Sequence, residues 1–281
     1  FTYQKIQPSN ADKESMKKIS ALYEDRFGNI WIGTQNSGLW KCRLASQTAL
    51  FHSSDIGLNN LYCTTFFESD NGKVWIGTDG QGLFLVDSLF SLNNHFSDSN
   101  GLTSSNVLSS AVIGSQTYFA SWGGEIVRTD GNSTKFTKVP FLGLSSPSFS
   151  VKYIEVVEKD KLLACTSGDG VYLYENGQWR SIDLTLNGTP DRWTHSAIEG
   201  RDGKIWILTS RTIWHGTLDD LAPVLPDMDK TPSHNPMVFH QAVEDNDGNL
   251  WLASNNGMYK IDAEQNDKLE PVTFLPKGTY K

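Results

Sequence analysis

The sequence predicts an all-β fold of the propeller type, in which small four-stranded antiparallel sheets, the blades, are arranged around one axis. Three observations lead to this prediction. The phrase EDRFGNIWIGT (24–34) returns along the chain, each copy is followed by short apolar runs separated by turn residues, and no long stretch has clean helical periodicity. Repeats of this size are typical of folds in which each unit buries its faces against its neighbours.

The phrase recurs with a nearly constant period of about 44 residues. The complete copies are EDRFGNIWIGT (24–34), ESDNGKVWIGT (68–78), EGRDGKIWILT (199–209) and EDNDGNLWLAS (244–254), with anchor residues Trp31, Trp75, Trp206 and Trp251. The gap between the second and third copies is about three periods, so two weakened copies are expected within it. Phe119 in TYFASWGGEIVRTD and Leu163 in KLLACTSGDGVYLYE lie where their anchors should be. The chain therefore contains six units.

Each unit is predicted to form four short strands, as the first unit shows. Residues 19–24 and 30–34 are rich in Ile, Leu, Trp and Tyr, and the turn DRFGN joins them. A third strand is predicted over 39–44 and a fourth over 49–52. Asp and Asn favour such turns because their side chains bond the local backbone, and Gly supplies the left-handed conformation. The flat Trp ring on the second strand is expected to fill the gap between neighbouring sheets.

The two ends of the chain decide how many blades are predicted. FTYQKI (1–6) aligns with the fourth strand of the first unit, TALFHSS (48–54), and is one strand more than six units need. A fourth strand for the sixth unit is predicted over 271–275, and ADKESMKKI (11–19) is predicted to form one helical turn. A seven-bladed ring, to which this chain gives six blades and a closing strand, is the favoured prediction; a six-bladed ring is the alternative. Residues 1–281 are predicted to be a single propeller domain.

Composition and charge exclude several classes of function. The net charge of −8 and the pI near 5.2 oppose binding to nucleic acid, which requires Lys and Arg against phosphates. No run of about 18 apolar residues exists, so any membrane attachment would come from segments outside this chain. The three cysteines form no CxxC pair and are expected to be small buried residues, although pairing of two of them stays open. The six histidines show no HExxH or HxH spacing, so neither a metal nor another cofactor is predicted.

Function is expected where the repeats differ, because the residues they share maintain the fold. In a propeller, the loop after the second strand and the segment before the next first strand lie on the same face. Aromatic rings there can stack on sugars, and planar polar groups can bind hydroxyls or a carboxylate. The predicted ligand-binding residues are Trp122, Glu125, Asp169, Arg192, Trp193, His195 and Arg211. The alternative is that Trp122 and Trp193 only fill gaps between blades.

The pattern E-D-x-x-G-N-I/L-W-I-G-T-x-x-G-L resembles the two-component regulator propeller repeat. EDRFGNIWIGTQNSGL (24–39) and ESDNGKVWIGTDGQGL (68–83) match it well, and EDNDGNLWLASNNGMY (244–259) and GRDGKIWILTS (200–210) are looser copies. The resemblance implies an extracytoplasmic, periplasmic sensor region of a bacterial hybrid histidine kinase or diguanylate cyclase. It also implies that the chain is a fragment of a longer sensor protein and that its ligand is a carbohydrate.

Three functions remain open from the sequence. The favoured one is a non-catalytic sensor propeller that binds a small polar ligand, such as an oligosaccharide, on the loop face. The second is a platform for protein interaction or homodimerisation without a small ligand. The third is a propeller hydrolase or lyase, for which His195, His215 and Glu125 are the candidate residues. The likeness of SDNGKVW (69–75) to the Asp-box turns of sialidases adds no catalytic group.

Overall fold

The computed structural model describes two compact units of the chain, Phe1–Pro140 and Phe141–Lys281. The described residues are 18–35, 38–43, 48–56, 58, 61–69, 71–87, 89–123, 125–130, 135–140, 146, 150–225, 237–262 and 265–272. The strand predicted over 1–6 lies outside the described residues, as does most of the helical turn predicted over 11–19.

Unit 1 contains three four-stranded antiparallel sheets, each with its strands in chain order. The first blade consists of β1 (Ile19–Glu24), β2 (Asn29–Thr34), β3 (Leu39–Arg43) and β4 (Thr48–His52). The second consists of β5 (Cys63–Glu68), β6 (Val74–Thr78), β7 (Leu83–Val86) and β8 (Leu92–Phe96). The third consists of β9 (Val107–Ile113), β10 (Gln116–Ser121), β11 (Ile126–Thr129) and β12 (Thr137–Val139). A 3-10 turn, Ser53–Ile56, follows β4.

Unit 2 contains three more sheets of the same kind and one extra hairpin. The fourth blade consists of β13 (Val151–Val157), β14 (Lys161–Thr166), β15 (Val171–Glu175) and β16 (Gln178–Ile182). The hairpin is β17 (Thr185–Leu186) and β18 (Thr189–Pro190). The fifth blade consists of β19 (Thr194–Glu199), β20 (Ile205–Thr209), β21 (Ile213–Thr217) and β22 (Asp220–Pro223). The sixth consists of β23 (Phe239–Glu244), β24 (Leu250–Ser254), β25 (Gly257–Asp262) and β26 (Gln265–Pro271).

The fold class is the predicted β-propeller, and the structure shows six blades, the smaller of the two numbers considered. The first strands of successive blades lie side by side, β1 with β5 and β5 with β9 in unit 1, and β13 with β19 and β19 with β23 in unit 2. The last strand begins at residue 265, earlier than the predicted 271, because Gln265 already pairs with Asp262 of β25.

Three of the four tryptophan anchors pack between successive blades, as predicted. Trp31 packs against Ile76 and Phe84 of the second blade. Trp75 and Trp206 contact the equivalent positions of the blades that follow them. All three side chains are almost completely buried. Each ring thus removes a large apolar area from water at a junction between sheets.

One anchor lies one residue from its predicted place. The hydroxyl of Ser121 in the third blade makes the same contact as that of Thr78 in the second, so Tyr118 corresponds to Trp75. The expectation that Phe119 is the anchor was therefore wrong. Neighbouring residues of a strand face opposite sides of the sheet. Phe119 accordingly packs against Trp75 of the preceding blade, with ring centroids 5.6 Å apart.

A hydroxyl closes the loop after the second strand in every blade. The strand ends with Thr or Ser, and its hydroxyl donates to a backbone carbonyl three or four residues later. The pairs are Thr34 to Gly38 (2.8 Å), Thr78 to Gly82 (2.8 Å), Ser121 to Glu125 (3.1 Å), Thr166 to Gly170 (2.8 Å), Thr209 to Thr212 (2.9 Å) and Ser254 to Gly257 (2.9 Å). We call this bond the hydroxyl lock. It gives each loop on this face the same point of departure.

A glutamate at the end of the first strand links neighbouring blades at the opposite end of the sheets. Its carboxylate accepts a backbone N–H from the turn of the preceding blade. The bonds run from Arg26 to Glu68 (2.9 Å), from Glu158 to Glu199 (3.0 Å) and from Arg201 to Glu244 (2.6 Å). The glutamate that begins the repeated phrase therefore forms a contact between neighbouring blades.

The three cysteines are free and buried, in agreement with their expected role as small core residues. Burial raises the pKa of Cys63 and of Cys165 to about 12, so neither thiol ionises at neutral pH. Among the described residues, no helix is long and apolar enough to cross a membrane.

Candidate functional site

The loop face of unit 2 comprises the loops after β14, β20 and β24, the segment that leads into β19, and residues 150 and 237–238 directly before β13 and β23. It is held together by backbone hydrogen bonds between blades. The N–H groups of Gly168 and Gly170 both donate to the carbonyl of Arg192, at 3.1 and 2.8 Å. Ser167 forms an isolated bridge with Trp193. The segment before β19 is therefore fixed by the loop of the fourth blade.

Trp193 and Arg192 present their side chains to solvent from this fixed backbone. The Trp193 side chain is 53% exposed, and Arg192 is exposed as well. The backbone of Trp193 is bonded to the loops on both sides of it, because its carbonyl also accepts the N–H of Ser210 at 2.9 Å. A large ring held on a rigid backbone and half open to water can stack on a ligand at little cost in entropy.

Asp169 lies in the neighbouring loop and is oriented by Tyr172. The Tyr172 hydroxyl donates to Asp169 Oδ2 at 2.8 Å, and the Asp169 N–H donates to Thr166 Oγ1 at 3.0 Å. Burial and the Asp169 carboxylate raise the pKa of Tyr172 to about 12. The pair can therefore present one acceptor and one fixed phenol beside the loop.

Arg211 is bonded to the backbone of the loop face. Its guanidinium donates to the carbonyls of Thr189 (3.2 Å) and Leu186 (3.4 Å), which belong to the β17–β18 hairpin. The buried Asp191 accepts the Trp214 indole N–H at 3.0 Å in the same region. We attribute to Arg211 the positioning of the hairpin, a role that sequence alone did not suggest.

His195 lies at the start of β19 among basic groups. Its Nε2 shares a hydrogen bond with Ser210 Oγ at 2.9 Å, and its ring centroid is 6.2 Å from that of His240. Burial, and then the electrostatic effects of Lys152 and His240, lower the pKa of His195 to about 4. His195 is therefore neutral at pH 7 and can donate or accept one hydrogen bond at each ring nitrogen.

Sequence analysis missed Lys152, His240 and Ser210. The signal was present, because Lys152, His195 and His240 each lie eleven residues before the anchor of their own repeat. A comparison of the residues at that position of each repeat, rather than of the shared phrase, would have found Lys152 and His240.

Trp122 and Glu125 lie on the loop face of unit 1. The Trp122 side chain is 51% exposed, and its backbone N–H donates to the carbonyl of Asn106 at 2.9 Å. Glu125 forms an ion pair with Lys138 at 2.8 Å, which lowers the pKa of the carboxyl group. Neither tryptophan predicted for the site is buried in a gap between blades.

The residues considered for catalysis do not form one constellation within unit 2. His215 is stacked on Trp206, with ring centroids 3.6 Å apart, while His195 bonds Ser210 at the start of β19. His215 lies beside Trp206 of β20, whereas His195 lies near Thr209, three residues or about 10 Å further along the same strand. In the part of the chain that the structure describes, no three His, Cys, Asp or Glu side chains are grouped to hold a metal ion.

The class of protein follows from these features: a β-propeller with a structural repeat phrase and variable loop faces. The family profile described as two component regulator propeller matches residues 15–36 and 233–256. Two segments of the chain thus match the two-component regulator propeller repeat.

Solved structures with the same fold include extracellular signalling domains. The extracellular domain assigned to hybrid two component system BT4673 from B. thetaiotaomicron has a TM-score of 0.74 and 18% identity, over 93% of this chain and 34% of that one. The domain assigned to BT3049 of the same organism has a TM-score of 0.71 and 20% identity, over 88% of this chain and 34% of that one. Virginiamycin B lyase from Staphylococcus aureus has a TM-score of 0.68 and 12% identity, over 92% of this chain and 85% of that one.

The chain spans about a third of the length of the two hybrid system domains. At these identities the likeness concerns the fold. No curated protein matches the sequence significantly.

Proposed function

We propose that this chain is the ligand-binding propeller of an extracytoplasmic signalling receptor of the two-component type, and that it is itself non-catalytic. The family repeats and the extracellular origin of the similar hybrid system domains support this assignment. The remainder of such a receptor, with its membrane segment and its kinase or cyclase, would be encoded by the same gene.

The ligand is a small polar molecule such as a carbohydrate, bound on the loop face of unit 2. The observation that carries this proposal is the half-exposed Trp193 ring on a backbone fixed by bonds from both neighbouring loops. An apolar ring face beside Arg192 and the Asp169–Tyr172 pair suits a sugar, which offers one apolar face and a rim of hydroxyls.

A thermal-shift screen with neutral and acidic glycans, amino acids and peptides tests this function. A bound ligand raises the melting temperature, because it binds only the folded state. We expect Trp193→Ala to abolish that increase. The unliganded melting temperature should change by less than about 2 °C, since the side chain is half exposed and far from core packing.

The matched control is Trp122→Ala, which removes a side chain of similar exposure from unit 1. It should leave the ligand-induced increase intact. Equal increases in Trp193→Ala and the wild-type protein would remove this loop from the site. Peptides that shift the melting temperature where glycans do not would favour the interaction platform instead.

A further inference from the structure

The first strand of every blade carries one β-bulge near the loop face, and the bulged residue differs between the units. A bulge re-aims a side chain that would otherwise follow the strand alternation. The register shifts leave out Ser20, Thr64 and Leu108 in unit 1, and Lys152, His195 and His240 in unit 2. Unit 1 therefore has two hydroxyls and a leucine where unit 2 has three basic residues.

In unit 1 the hydroxyl bulges serve the backbone. Ser20 donates to the carbonyl of Cys63 at 2.6 Å, and Thr64 donates to the carbonyl of Val107. Both acceptors lie at the start of the first strand of the next blade. The bulge position therefore points toward the next blade, and a hydroxyl there is structural.

In unit 2 the same position carries three basic residues. The strands β13, β19 and β23 lie side by side, and the rings of His195 and His240 are 6.2 Å apart. Lys152 acts electrostatically on His195, and the charged groups that act on His195 are both basic. We call these three residues the basic bulge cluster.

Lys152 has no counter-charge within the part of the chain that the structure describes. It forms no ion pair and no hydrogen bond with those residues, although it is half-buried and burial lowers its pKa. An ammonium group withdrawn from water without a partner is unfavourable, and such groups are normally paired. A site that keeps a charge in this condition is suited to an anion that arrives with a ligand.

The cluster is connected to the exposed ring of the proposed sugar site. Ser210 joins the two, because its N–H donates to the Trp193 carbonyl and its hydroxyl bonds His195. Trp193 is two residues before His195 in the chain. A ligand stacked on the ring thus has a basic group one short segment away.

We propose that the basic bulge cluster binds the carboxylate of an acidic saccharide whose ring stacks on Trp193. This inference rests on the proposed function and names the class of sugar. Lys152 supplies the charge, while His195 and His240 supply ring N–H donors whose strength rises when they are protonated.

Nuclear magnetic resonance titration of the His195 imidazole, with D-galacturonate as the probe, tests this site. A carboxylate beside His195 should raise its pKa by about one to two units. D-galactose, the neutral counterpart, should leave it unchanged, and inorganic sulfate should act only at roughly tenfold higher concentration. Absence of a shift with galacturonate would overturn the proposal, as would equal effects of sulfate and galacturonate.

Lys152→Met should weaken galacturonate binding about tenfold, because it removes the charge and keeps the aliphatic volume. Lys204→Met, a substitution at the other end of the fifth blade, is the control and should bind as the wild type does. His240→Asn, at an exposed position, replaces Lys152→Met if that variant does not fold. Undiminished binding in the cluster variants would show that the anion lies elsewhere and would overturn the assignment.

The two proposals fail in different ways. If neutral glycans stabilise the protein through Trp193 while galacturonate leaves His195 unchanged, the sensor function stands and the acidic sugar is wrong. If no glycan changes the melting temperature, the sugar-sensing function falls, and the absence of a galacturonate-dependent shift of His195 removes the basic bulge cluster with it.

Discussion

At the scale of single residues, the aspartate of the repeated phrase does more than begin a turn. Asp25 accepts the backbone N–H groups of Phe27 and Asn29, the side-chain amide of Asn29 and the indole N–H of Trp31. Asp245 repeats the arrangement, with its Oδ2 2.7 Å from the Trp251 indole nitrogen. The carboxylate thus fixes the turn and the orientation of the anchor ring together.

Removing this carboxylate should cost more than removing an ordinary turn residue. We expect Asp25→Ala to lower the free energy of unfolding by about 2–4 kcal/mol, because it leaves buried donors without an acceptor and removes the carboxylate 3.8 Å from the buried Lys41 ammonium. The midpoint of urea unfolding measures the effect.

Ser69→Ala is the matched substitution in the second blade. Ser69 bonds the Asn71 side chain and the Lys73 carbonyl within its turn, and the Trp75 indole nitrogen has no hydrogen-bond partner among the described residues. The loss should be about 1 kcal/mol. Equal losses in the two variants would mean that the bond to the indole contributes nothing.

The sequence allowed the turn and the anchor ring to be predicted, because all of these contacts lie within seven residues. It did not reveal that Glu68 and Glu244 bind the preceding blade, since that contact joins residues 42 and 43 positions apart. The same limit hid Lys152 and His240, which acquire meaning only when the first strands lie side by side.

At the scale of elements, the third blade shows how a turn sets the register of a strand. Ile113 pairs with Gln116 across a two-residue turn, Gly114 and Ser115, whereas the complete repeats use a longer turn closed by Asp, Ser or Gly. The shorter turn moves the anchor back to Tyr118, and a shift of one residue exchanges the faces of the strand. A constant period could not show this.

A double-mutant cycle tests the corrected register. Trp75→Leu and Phe119→Leu should be coupled by about 1 kcal/mol, because the two rings are in contact across the junction between the second and third blades. The free energies of unfolding of the two single variants, the double variant and the wild type give the coupling.

Tyr118→Leu combined with Trp75→Leu provides the comparison. Tyr118 faces the other side of β10, so its substitution should add to that of Trp75 within about 0.5 kcal/mol. The register would be wrong if Tyr118 were coupled to Trp75 and Phe119 were not.

At the scale of the whole molecule, one half-buried carboxyl group, that of Glu155, should shape the dependence of stability on pH. Burial raises the pKa of Glu155 from 4.5 to about 7, with a hydrogen bond from Tyr153 acting against this and the charge of Glu199 acting with it. The unfolded chain releases the proton near pH 4.5 and the folded chain near pH 7. Stability from this group is therefore present below pH 4.5 and is lost as the pH rises to 7.

Glu155→Gln should abolish this loss and raise the free energy of unfolding at pH 8 by on the order of 2 kcal/mol. Urea unfolding at pH 5 and pH 8 measures it. Glu175→Gln is the control: Glu175 is ion-paired with Arg180 and Lys161, and those partners lower its pKa, so its substitution should leave the fall in place. Parallel pH curves for Glu155→Gln and the wild type would show that Glu155 is ionised in the folded protein.

For the molecule as a whole, the repeat period sufficed to predict the fold class, since each similar unit must bury its faces against the neighbouring units. The period could not show which loop residues contact a ligand, because the sequence places Trp193 and Arg211 in the same kind of loop and does not show which side chain is exposed. Only the hairpin contacts separate a side chain that supports the loop from one that faces solvent.

The hydroxyl lock has a consequence for how such proteins diversify. Since the loop after each second strand begins and ends at the hydroxyl lock, the two or three residues that the lock encloses can be exchanged among blades without disturbing the core. New binding specificities arise when the loop of one blade replaces that of another. The same six locked loops are positions at which new recognition residues can be introduced by design.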